Sequence, residues 1–167
     1  MAGTENVLGV DVGGVILDFL RSGKEDPAYI HRHLDIPPVE DSIESVTALN
    51  ASDKFNGNVF LVSRYRGDGP REVLEWLHHQ RFFERTNIPE DHFYPCAERH
   101  EKLPIARKLG VTHFVDDRAE VLKEMIGTVP HLYLFQNLDE KKDEFADARR
   151  HMRFFKTWNE LLPVLLE

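Results

Sequence analysis

The run VLGVDVGGV, residues 7–15, constrains the fold more than any other stretch of this chain. Val7 to Val10 are apolar or glycine, Asp11 follows at once, and Gly13 and Gly14 come directly after. A short continuous apolar run bounded by a turn signal is how a strand buried on both faces of a parallel sheet reads. The Asp cannot continue such a run, and the glycines let the backbone turn sharply, so a functional loop is expected at its carboxyl end. The same segment is too short, and too plainly broken by Asp11, to cross a bilayer, which takes ~20 apolar residues.

The pattern recurs along the chain. VFLV at 59–62 ends on Ser63, HFYPC at 92–96 reads as a third strand, VTHFVDD at 111–117 closes on paired carboxylates, and HLYLF at 131–135 is a last strand. Between them lie segments with helical spacing. DSIESVTALNA (41–51) places Ile43, Val46 and Leu49 on one face, PREVLEWLHHQRFF (70–83) opens with Pro70 at a favoured first helical position, and EKLPIARKLG (101–110) stops at Gly110. RAEVLKEM (118–125), the charged DEKKDEFADARRHM (139–152) and WNELLPVLLE (158–167) complete the set. Strands alternating with helices predict an α/β fold, a Rossmann-like parallel sheet with helices on both faces. Residues 18–40 are polar, hold three prolines and read as a flap or very small insertion. With no repeat, low-complexity tract or linker, residues 1–167 are expected to form a single domain.

A net charge of −8 argues against general nucleic-acid binding and against an anionic membrane surface, both of which need clustered Lys and Arg. Cys96 is the only cysteine, so no internal disulfide can form, and no secretion signal opens the chain, which leaves the cytoplasm as the expected location. Nine histidines invite a metal reading, but His31/His33 and His78/His79 lack Cys or carboxylate partners at zinc spacing.

In open parallel sheets ligands bind beyond the carboxyl ends of the strands. Asp11, Ser63 and the Asp116/Asp117 pair finish apolar runs there, and Lys102 opens a helix that can reach the same edge. Carboxylates that can hold a divalent cation, beside a hydroxyl and an ammonium that can hold phosphate oxygens, suit phosphoryl chemistry, with one carboxylate as nucleophile.

These residues, in this order, resemble the four motifs of the haloacid dehalogenase-like superfamily over nearly the full length. VLGVDVGGVILDF is similar to that family's DxDGT or DxDGV strand end, with Gly14, Val15 and Asp18 also fitting. The resemblance implies that Asp11 is the nucleophile that becomes an aspartyl-phosphate. It implies that Ser63 hydrogen-bonds the phosphoryl group, that Lys102 rather than Lys108 steadies the charge, and that Asp116 and Asp117 bind Mg²⁺ with Asp11 and the Gly13 carbonyl. Gly13 also stands where the family has its second Asp, the general acid and base, and no neighbour in sequence is an obvious replacement. General acid–base assistance is typically worth about 10² to 10⁴ in rate. The expectation is therefore a slow Mg²⁺-dependent phosphatase, the alternative an inactive phosphate-binding or protein-interaction module. The dehalogenase branch, with DxYGT or DxFGT, fits less well because of Gly13.

The short gaps after Asp11 and Ser63 imply a minimal cap or none. Such an open site suits a phosphorylated small molecule or a larger phosphate-bearing substrate, unless a homodimer covers it. Arg64, Tyr65, Arg66, Arg99 and His100 are the nearest groups for substrate anions, with Arg64 and Gly14 named as weak substrate-binding candidates. Cys96 reads as a small buried residue rather than a nucleophile.

Overall fold

The computed structural model describes residues 5–18, 33–65, 69–136 and 144–167. Six strands, β1 (Leu8–Val10), β2 (Val59–Arg64), β3 (Phe93–Cys96), β4 (His113–Asp116), β5 (His131–Phe135) and β6 (Arg153–Phe155), pair in parallel in the order β3-β2-β1-β4-β5-β6. The helices are α1 (Ser42–Ala51), α2 (Arg71–His79), α3 (Phe82–Thr86), α4 (Lys102–Leu109), α5 (Ala119–Met125), α6 (Ala146–Arg149) and α7 (Trp158–Leu166).

Strand side chains alternate between faces, and here both faces are apolar. Leu8, Val10, Leu61, Val115, Tyr133 and Phe135 join one core with Leu49 of α1, Trp76 of α2, Phe82 of α3 and Trp158 of α7. Val62, Phe114, Leu132 and Leu134 join the other with Ala106 of α4, Leu122 of α5 and Ala148 of α6. The expected sheet with helices on both faces is therefore present. Gly9 interrupts the apolar run of β1 for a packing reason: a Cβ there would lie 2.7 Å from the ring of Phe114 in the adjacent strand.

The loop after β1 is bound tightly. The Val12 carbonyl accepts the Val15, Ile16 and Leu17 amides, while the indole N–H of Trp158 donates to the Val15 carbonyl at 2.9 Å. Most of the flap proposed near 18–40 falls on residues 19–32, outside the described residues. Its two ends meet, because Asp18 donates to the Pro37 carbonyl at 2.9 Å and Val39 to the Ile16 carbonyl at 2.6 Å. Trp76 of α2 holds the returning end through a 2.8 Å bond to the Ile36 carbonyl.

Three element assignments differ from the sequence reading. The helix expected over 70–83 is two, α2 and α3, divided at Arg81, which is left-handed with φ 55°. On an unbroken helix Phe82 would point nearly opposite Trp76 and Leu77, yet all three are fully buried in one core, so the break is what lets them share it. Of the helix expected over 139–152, residues 139–143 lie outside the described set and only α6 is helical in the remainder. The strand β6 was not expected at all, because it is three residues long with Phe154 exposed. Among the described residues no helix is long and apolar enough to cross a membrane.

Candidate active site

From β1 the chain steps outward through β2 to β3, then returns to the other side of β1 for β4 and steps outward again to β6. Strand order therefore reverses between β1 and β4, and a crevice opens above their carboxyl ends, the place where open α/β sheets bind ligands. Asp11 lies one residue beyond β1, Asp116 ends β4 and Asp117 follows it, while Lys102 is the first residue of α4. Topology thus brings these four residues together from across the sequence.

The Lys102 ammonium is 3.1 Å from Asp11 Oδ1 and 2.7 Å from Asp116 Oδ2, with all three side chains buried. Asp11 Oδ1 also accepts the Val12 amide at 2.9 Å, and Asp116 Oδ1 accepts the Arg118 amide at 3.0 Å. Asp116 thereby steadies the entry to α5 and pairs with Lys102 at once. Asp117 hydrogen-bonds Asp11 and packs against Gly14, where a Cβ would fall 2.1 Å from Asp117 Oδ2; Gly14 also has φ 82°, which only glycine adopts without strain.

Three carboxylates share one ammonium in this buried space, and their protonation responds. Burial pushes the Asp11 carboxyl up to about 6, with Lys102 pulling it down and Asp116 pushing it further up. Asp117 is raised well above the ordinary carboxylate range by burial and then by the charges of Asp11 and Asp116. Burial opposes the Lys102 charge, but Asp11 and Asp116 outweigh it and hold the ammonium above its ordinary value. Asp11, Asp116 and Asp117 each offer an oxygen within 4.8 Å of the others, so a hard dication fits both their donor chemistry and their surplus charge.

Above this cluster lies a cleft of about 130 Å³, lined by residues that include Asp11, Gly13, Arg64, Lys102, Asp117 and Arg118. Asp116 and Gly14 do not line the cleft: Asp116 is fully buried against Lys102, and Gly14 packs against Asp117. Ser63 ends up buried at the end of β2, outside the lining residues, with its hydroxyl 3.4 Å from the Arg64 carbonyl. Of the proposed anion-binding groups, Arg64 and Arg99 line the cleft, Tyr65 and His100 do not, and Arg66 lies outside the described residues. The sequence reading passed over Glu72, Val73 and Arg118, which also line it. Glu72 and Arg118 stand at helix entries on the same sheet edge, a signal that could have marked them. Cys96 is buried and its thiol is pushed up to about 11, first by burial, as suits a packing residue.

A solved structure described as a haloacid dehalogenase-like hydrolase, from Burkholderia xenovorans LB400, matches over 96% of both chains with a TM-score of 0.63. This chain has the haloacid dehalogenase-like fold. Identity to that structure is 11%, and the crystal structure of a dehalogenase matches over 100% of both chains at 12% identity and a TM-score of 0.62. No family model matches the sequence, and no curated protein matches it. The haloacid dehalogenase-like likeness is therefore carried by backbone shape, and sequence similarity does not extend it.

Proposed function

We propose that this haloacid dehalogenase-like chain is a Mg²⁺-dependent phosphoric monoester hydrolase working through an aspartyl-phosphate on Asp11. The observation that carries this reading is the buried Lys102 ammonium held between Asp11 and Asp116. Lys102 and the Val12 amide fix one oxygen of the Asp11 carboxylate, which leaves the other to attack phosphorus. The Lys102 charge also offsets the charge carried by the transferring phosphoryl oxygens.

Asp11, Asp116, Asp117 and the Gly13 carbonyl would hold the Mg²⁺, which when bound screens the carboxylates from the incoming phosphate and polarises the phosphoryl oxygens. Arg64, Arg99 and Arg118 at the cleft favour an anionic substrate, a phosphorylated metabolite or a phosphate on a larger molecule. One observation favours a second reading, a module that binds phosphate without turnover: Gly13 brings no acid to the position two residues beyond Asp11.

A screen with Mg²⁺ across sugar phosphates, nucleotides, phosphopeptides and acyl phosphates separates the two. The hydrolase reading expects activity on part of that panel, lost in Asp11→Asn, and a beryllofluoride adduct on Asp11. Phosphate binding with no turnover on any member of the panel would establish the module instead.

A further inference from the structure

Hydrolysis through Asp11, the reading on which this inference rests, moves a proton twice. The oxygen of the leaving group needs one as its bond to phosphorus breaks, and the attacking water must give one up when the aspartyl-phosphate is cleaved. Gly13 can do neither. The structure places one unused acid on the same cleft: Glu72, in the first turn of α2, lines it together with Asp11, Gly13 and Asp117.

The other lining groups are committed elsewhere or cannot exchange a proton. Asp11 is the nucleophile, Asp117 belongs to the carboxylate cluster, and Lys102 is clamped between two carboxylates. Arg64, Arg99 and Arg118 bear guanidinium donors with no acceptor atom to take a proton, and Gly13, Gly69 and Val73 have no acid or base in their side chains. Glu72 is left. It is also unpaired among the described residues, whereas Arg71 bonds Glu75 at 2.6 Å, His33 bonds Glu75 at 3.0 Å, and Arg99 pairs with Glu120. A first-turn Glu suits the helix dipole, but that role places no demand on which way the residue faces. Here it faces the cleft.

We propose that Glu72 is the catalytic acid and base of this site, supplying from α2 the proton transfers that Gly13 cannot make. In the first step an Asp11 oxygen bonds to phosphorus, the bond from phosphorus to the leaving oxygen breaks, and that oxygen takes its electron pair together with the Glu72 proton. In the second step a water oxygen bonds to phosphorus and the bond from phosphorus to Asp11 breaks. Asp11 regains its carboxylate, phosphate departs, and the water's proton goes to Glu72, which restores the acid.

The test is Glu72→Gln, a change at an exposed and unpaired position that should leave the thermal midpoint close to wild type. Loss of the acid is expected to lower kcat/KM on an alkyl phosphate by about 10²-fold or more. With 4-nitrophenyl phosphate, whose leaving group departs without a proton, the first turnover should stay near the wild-type rate. Aspartyl-phosphate should then accumulate, seen as a stoichiometric burst of nitrophenolate and as a phosphate adduct by mass spectrometry. Wild-type kinetics for Glu72→Gln on both substrates would overturn the assignment while leaving Asp11 chemistry intact. An equal loss on both, with no burst, would overturn it too, because the effect would not be proton transfer. If the wild-type protein forms no adduct and turns over neither substrate, both the hydrolase reading and the role of Glu72 fall.

Discussion

At the scale of single residues, Asp11, Asp116 and Asp117 face one another with Lys102 as their only buried counter-charge among the described residues, so the metal-free site works against itself. The sign of the pH dependence follows from the two raised carboxyls. Their contribution to stability is fully present below the unfolded value near pH 4 and declines as pH rises, through about 6 for Asp11 and in the same direction for Asp117. The raised Lys102 contributes a constant amount over this window, since both its states stay protonated there. Mg²⁺ binds the deprotonated carboxylates, so the rise in melting temperature that it produces should grow from pH 5 to pH 7, measurable by thermal melts with and without the ion. Asp117→Asn removes a carboxyl whose ionisation the cluster resists, so it should make the metal-free protein less sensitive to rising pH while abolishing the Mg²⁺ increment. Unchanged pH sensitivity in the metal-free variant would contradict this account of the cluster. Asp11, Lys102, Asp116 and Asp117 were legible in the sequence because each finishes or opens a regular element on one sheet edge. Glu72 and Arg118, at helix entries on that same edge, were passed over because neither finishes an apolar run.

At the scale of elements, β1 and β4 form the spine that carries Asp11 and the Asp116/Asp117 pair, and their fit depends on Gly9. Because a Cβ at position 9 would lie 2.7 Å from Phe114, Gly9→Ala must push the ring or the strand aside. The expected cost is about 1–3 kcal/mol by urea unfolding. Phe114→Leu also destabilises alone, through lost apolar contact, yet in the double variant the smaller side chain makes room for the new methyl. The double-mutant cycle should therefore show favourable coupling, and simple additivity would remove the packing explanation. The strands of this spine could be read directly, since buried parallel strands leave unbroken apolar runs. The division between α2 and α3 could not, for it arises from the need to bury Phe82 beside Trp76 and Leu77 and has no glycine or proline to announce it. Likewise β6 adds only Phe155 to the core, too little pattern for any period to show.

At the scale of the whole molecule, the last helix is tied to the first loop, joining residues 143 positions apart. Trp158 is fully buried and its indole N–H donates to the Val15 carbonyl, in the turn that follows Asp11. The parallel α/β layout was legible from the alternation of elements, but this closure was not, because a buried tryptophan signals apolar packing without naming the carbonyl that satisfies it. Trp158→Phe keeps most of the apolar contact and leaves the buried Val15 carbonyl without that donor, at an expected cost of about 1–3 kcal/mol. If the bond also fixes the turn after Asp11, Mg²⁺ affinity measured by calorimetry should fall in this variant. Leu161→Ala, on the same helix, is the control: it opens a cavity in the same core at a cost of about 2–5 kcal/mol but breaks no bond to the turn. Weaker Mg²⁺ binding in Trp158→Phe than in the less stable Leu161→Ala would separate positioning of the site from general loosening. Equal affinities in both would mean that the turn holds its shape without α7.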